Sequence, residues 1–186
     1  MTPPAEPRIP WLVRPVRALG RGLLSLSPAT RWIPAASWMA LIFVLSMQDI
    51  GVGGSGSPGW GVLANGYHCF EYGVLALCLA LFAPREQGWP RLDARATRWI
   101  VIVAALYGAS DEIHQAFVPA RNCSIFDLLS DVTGAWLATR AAARAGGVDY
   151  DPEKLLRIVL RGIPLCFLCG TLAEWMPRWF PDVPLF

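Results

Sequence analysis

The chain has 186 residues, of which 54% are hydrophobic and only 16% charged, with a mean hydropathy of +0.40. A soluble domain carries about 25% charged residues, so this composition points to a bilayer; it excludes a disordered chain, a nucleic-acid binder with a basic face and a disulfide-stapled secreted domain. The net charge of +2 says little as a total, and its placement along the chain says more.

Residues 1–28 form a basic N-terminal segment. Between Ile9 and Leu26, Trp11, Leu12, Val16, Leu19 and Leu23 recur at near-helical spacing among Arg8, Arg14, Arg17 and Arg21. Two readings stay open: a basic amphipathic helix on the anionic cytoplasmic leaflet, or a charged tether, because Pro10 and Pro15 work against a helix. A spanning helix needs roughly 20 mostly apolar residues. Ala29 to Met47 predicts the first, an uncleaved signal anchor with no cleavable leader before it. Gly51 to Gly59 then forms a flexible outer loop. The second span, Ala64 to Ala83, is apolar only from Gly73 onward, and its first half holds Asn65, His68 and Glu71. The third, Trp99 to Phe117, ends with Asp111, Glu112 and His114; the fourth, Ile125 to Ala143, begins with Asp127 and Asp131. Gly146 to Pro152 separates these from a fifth, Leu155 to Met176. The expectation is an all-α, polytopic membrane helix bundle of about five transmembrane helices. A four-helix membrane domain occupies 29–145, and a linker with an additional C-terminal helix occupies 146–186.

Lysines and arginines set the orientation. Arg8, Arg14, Arg17, Arg21 and Arg31 precede or begin the first span, and Arg85, Arg91, Arg95 and Arg98 lie between the second and third. Arg140, Arg144, Lys154, Arg157 and Arg161 surround the start of the fifth, which leaves only Arg121 and Arg178 on the opposite side. The N-terminus is therefore expected in the cytoplasm.

Ionisable side chains inside a membrane segment cost several kcal/mol unless paired, which makes them functional candidates. The second, third and fourth spans hold Glu71, Asp111, Glu112, Asp127 and Asp131, together with both histidines, His68 and His114. The predicted topology puts all seven at the outward-facing ends of three adjacent helices. His68, Glu71 and Tyr72 share one helix face, as do Asp111, His114 and Gln115. Asp127 and Asp131 are one turn apart and repel unless a positive group or a shared proton intervenes; Arg121, in the short loop before them, is the expected partner. Pro119 ends or kinks the third helix, and Ser124 or Asn122 caps the fourth. For Asp127 a plain first-turn capping role stands beside the functional one.

Taken together, His68-Cys-Phe-Glu-Tyr-Gly-Val-Leu and Tyr107-Gly-Ala-Ser-Asp-Glu-Ile-His-Gln-Ala-Phe-Val-Pro-Ala-Arg, followed by Asp127 and Asp131-Val-Thr-Gly-Ala, resemble the VanZ-like family over about Ala35 to Arg144. The resemblance implies a small integral protein of the bacterial cytoplasmic (inner) membrane. It also implies cell-envelope biology, since the family's namesake lowers susceptibility to the glycopeptide teicoplanin, without naming a reaction. The motif positions carried over are His68, Glu71, Tyr72, Asp111, Glu112, His114, Gln115, Pro119, Arg121, Asp127, Asp131 and Gly134. Two stretches depart from the pattern. The family's Asp-Lys before the first histidine is Ala64-Asn65 here, and its Pro-Gly-Arg is Pro119-Ala120-Arg121.

Two classes of function fit these residues. In the first, the cluster acts on or binds an envelope or lipid-linked ligand. His68, Glu71, Asp111, Glu112, His114, Asp127 and Asp131 would be the catalytic candidates, with His114 or Glu112 as the acid–base group; Tyr72, Gln115 and Arg121 would bind the ligand, Arg121 as an anion clamp. A metal variant is suggested by His and carboxylate at three-residue spacing on two helices, but the order is mixed. No metal ligand or cofactor is assigned on sequence alone. In the second class the protein is a non-catalytic accessory or scaffold subunit of a larger membrane protein complex. In either class the expected partners are membrane lipids, with a larger membrane protein complex or a homo-oligomer open and no nucleic acid. The tryptophans are expected mainly as interface anchors. Cys78, Cys166 and Cys169 fill apolar space, while Cys69 and Cys123 have a disulfide open to them in an oxidising compartment.

Overall fold

A computed structural model describes residues 13–47, 58–119 and 123–179. Among the described residues there are six α-helices: α1 (Val13–Leu24), α2 (Trp32–Ser46), α3 (Pro58–Leu79), α4 (Ala94–Gln115), α5 (Ile125–Ala145) and α6 (Pro152–Trp179). The only strands there are β1 (Arg85–Glu86) and β2 (Trp89–Pro90), an antiparallel pair. Helix α3 is the centre of the bundle. It packs most extensively against α5 and α6, α4 packs on α5, and α2 leans on α3 and α4.

The helix starts follow from local chemistry. Pro58 opens α3, where a missing backbone N–H costs nothing, so the helix begins before the predicted Ala64 and takes in the last two residues of the expected Gly51 to Gly59 loop. The rest of that loop lies outside the described residues. Asp93 caps α4 by accepting from the N–H groups of Arg95 and Ala96, which starts that helix ahead of Trp99. The N-terminal segment, as far as it is described, is helical in α1; Pro15 falls in its first turn, where proline is tolerated.

A hairpin after α3 was not foreseen. Gln87 and Gly88 both have positive φ, +50° and +74°, the mirror-image turn that matches the twist of two short strands. It delivers the Trp89 side chain into a small core with Leu24, Leu81 and Ala145, and the indole N–H donates to the Ala142 carbonyl at 2.9 Å. The main core lies further along, around Ile42, Tyr72, Leu75, Ala76, Ile100, Ala104 and Ala135.

By length and composition one helix, α6, is apolar and long enough to cross a membrane, and α2 is a shorter apolar helix. Helices α3, α4 and α5 are long enough, at 22, 22 and 21 residues, but their ionisable side chains lower their overall hydropathy. Their carboxylates Glu71, Asp111, Glu112, Asp127 and Asp131 are buried, while Arg95, Arg98 and Arg140 are exposed. Asp131 is 1% exposed and Glu112 2%, whereas Leu106 on the outer face of α4 is 67% exposed. The usual distribution of polar and apolar groups is thus inverted.

Candidate functional site

The site begins where three helices cross closely. A Cβ added at Gly134 of α5 would run into the backbone of Cys69, so α3 and α5 touch main chain to main chain there. A Cβ at Gly108 of α4 would lie 2.6 Å from Asp131 Oδ2 and 3.3 Å from the Tyr72 ring. These two glycines let α3, α4 and α5 close around the acidic residues.

Asp131 of α5 and His68 of α3 form an ion pair, with Oδ1 and Nδ1 3.2 Å apart. Glu112 of α4 reaches the same place: one ligand atom each from His68, Glu112 and Asp131 lies within 4.8 Å of the others. The second oxygen of Glu112, Oε2, accepts the Ser124 backbone N–H at 2.7 Å. Ser124 in turn caps α5, its hydroxyl accepting from the N–H groups of Phe126 and Asp127. The cap is therefore Ser124, and Asp127 is left as a buried carboxylate in the first turn, its charge reaching both His68 and Glu112. Glu112 Oε1 and Asp111 Oδ1 are buried with no hydrogen-bond partner among the described residues, while Asp111 Oδ2 accepts from the Gln115 amide at 2.9 Å.

The remaining sequence candidates surround this group. Tyr72 is fully buried, its ring 6.2 Å from that of Tyr107 and its hydroxyl without a hydrogen-bond partner among the described residues. Glu71 is buried next to it, and its backbone carbonyl accepts from the Trp38 indole at 2.8 Å. His114 faces α2 instead, stacked on Phe43 with ring centroids 4.5 Å apart and Nε2 buried without a hydrogen-bond partner among the described residues. Arg121 and Asn122 lie outside the described residues. Cys69 and Cys123 are free thiols, and Cys69 donates to the Ser130 carbonyl.

Sequence reasoning passed over two features of the site. One is Gly108, whose signal was a small residue one turn before Asp111 and Glu112. The other is Glu174 on α6, 9% exposed, which pairs with Arg178 and accepts from the Asn65 amide at 3.5 Å. An acidic residue in the apolar second half of the fifth segment was the available sign. Beside the cluster an apolar groove of about 530 Å³ runs between α3, α5 and α6, walled by Phe70, Leu77, Leu137, Ile163 and Phe167. Cys69 and Gly134 also line it, within three residues of His68 and Asp131.

No curated protein and no solved structure matches the chain. The family described as VanZ/LLP1 does match, over residues 17–143, which takes in most of α1, every strand and α2 to α5 short of the last turn. That span extends past the quoted motifs at its N-terminal end and contains each of the carboxylates and histidines gathered between α3, α4 and α5. The chain belongs to the VanZ/LLP1 family.

Proposed function

We propose that this VanZ/LLP1-family protein is a multi-pass protein of the bacterial cytoplasmic membrane, N-terminus in the cytoplasm, whose polar cluster binds or acts on an envelope or lipid-linked ligand from the outer side. The observation that carries this reading is the buried His68–Asp131 pair joined by Glu112 beneath an apolar outer surface. A bilayer solvates such an exterior, and paired polar groups inside it mark ligand or proton sites. His68 and Glu112 are the acid–base pair in this reading, because His114 is turned to Phe43. The neighbouring groove supplies an apolar wall for an acyl chain next to a polar headgroup site. The basic residues gather at the opposite end, by the hairpin and the starts of α4 and α6, which supports a cytoplasmic assignment for that end.

The test has two parts. In a background without the five native cysteines, Arg121→Cys is expected to react with an impermeant maleimide from the outside and Arg91→Cys is not. Lipid extracts of the purified protein are then compared by mass spectrometry with bulk membrane. A polar lipid enriched on the wild type and lost on Asp131→Asn upholds the reading. Identical lipid profiles, with the chain held stoichiometrically in a large assembly, would overturn it in favour of the scaffold role.

A further inference from the structure

We propose that His68, Glu112 and Asp131 bind one divalent transition-metal ion of the zinc or manganese class. The inference deepens the reading of this cluster as a site and rests on it. Three side chains from three helices bring ligand atoms within 4.8 Å of one another, the spacing that one ion bridges. Gly134 brings the α5 backbone against that of Cys69, next to His68, and Gly108 leaves room on α4 for the Asp131 side chain.

A second observation points to a ligand independently. Glu112 is only 2% exposed, and its Oε1 has no hydrogen-bond partner among the described residues although Oε2 is held by Ser124. A buried carboxylate oxygen left unmade is costly, and a coordinated cation satisfies it.

The donor set selects the metal. One imidazole nitrogen with carboxylate oxygens suits zinc or manganese; calcium takes six to eight oxygens and magnesium keeps most of its waters. Three protein ligands leave a coordination position for water or a substrate oxygen. The Ser124 N–H on Glu112 Oε2 is the outer hydrogen bond that orients a ligating carboxylate. Cys69, next in sequence to His68, is a free thiol, so a sulfur neighbour would report a different site.

The experiment uses the full chain in mild detergent, stripped with chelator and titrated with Zn²⁺ and Mn²⁺ alone. Metal content, calorimetry and zinc-edge X-ray absorption are the readouts. The expected result is one ion per chain with nitrogen and oxygen neighbours and no sulfur. Asp131→Asn and Glu112→Gln should each weaken binding at least about tenfold while the chain still elutes as a single species. The wild-type spectrum stands even if a variant fails to fold. Absence of a bound ion, sulfur in the first shell, or affinity unchanged in both variants overturns the proposal. Its fate separates from that of the lipid-ligand reading, since an ion bound without any enriched lipid upholds one and sinks the other.

Discussion

Glu112 and Ser124 hold α4 and α5 together through one short hydrogen bond, 2.7 Å from the Ser124 backbone N–H to Glu112 Oε2. The contact satisfies a helix-start amide that α5 cannot pair internally, and it fixes one carboxylate of the site to the main chain. Scaffold and candidate chemistry thus share a side chain.

Glu112→Ala is expected to leave that amide buried and unpaired, lowering stability in detergent by about 1–3 kcal/mol, whereas Glu112→Gln keeps an acceptor and loses much less. Thermal unfolding of the two variants beside the wild type checks this. Equal losses would mean that the bond carries no weight.

Gly134→Ala should force α3 and α5 apart, because the new methyl meets the Cys69 backbone rather than a movable side chain. The cost is expected at about 1–3 kcal/mol, with a longer His68–Asp131 separation. Gly22→Ala in α1 has open space around it and should be neutral or stabilising by up to about 1 kcal/mol. Paired melting curves distinguish the two.

Trp89→Phe removes the bond to Ala142 and part of the ring that packs beside Gly20, and is predicted to cost about 1–3 kcal/mol. Trp89→Ala also empties the space between Leu24, Leu81 and Ala145 and is predicted to cost about 3–5 kcal/mol. Chemical denaturation of both variants measures the difference.

Asp93 lies outside the expected spans, and the backbone N–H of Ala96, then that of Arg95, holds its carboxyl below the usual carboxylate range. A depressed value means that the cap is fully present above the unfolded value and is lost as pH falls through the folded one. Hydrogen exchange at Arg95 and Ala96 should therefore accelerate only at strongly acidic pH. Asp93→Asn should abolish that dependence, and Asp93→Ala should accelerate exchange at every pH.

Much of the helical layout was legible because apolar runs of spanning length are hard to mistake, and the motif residues stood out through their cost in an apolar segment. What escaped was set by tertiary geometry. Periodicity put Asp111 and Gln115 on one face, where they do bond, and His68 with Glu71, yet the partner of His68 is on another helix, Asp131. His114 turns to Phe43, a contact to α2 that no spacing within α4 encodes. The hairpin at Gln87-Gly88 is only two residues long on each strand, too short for alternation to register. Glu174 was hidden by the apolar run around it, and its partners sit on another helix and one turn further along.

The seat of Trp89 is assembled from pieces far apart in synthesis. Leu24 is made long before the indole, and Ala142, Ala145 and Gly146 more than fifty residues after it. Until α5 has been added, the ring has no acceptor for its N–H and half its walls are missing. Closure of this end is consequently a late event in assembly, and a chain halted before residue 142 carries an exposed indole that quality control can recognise.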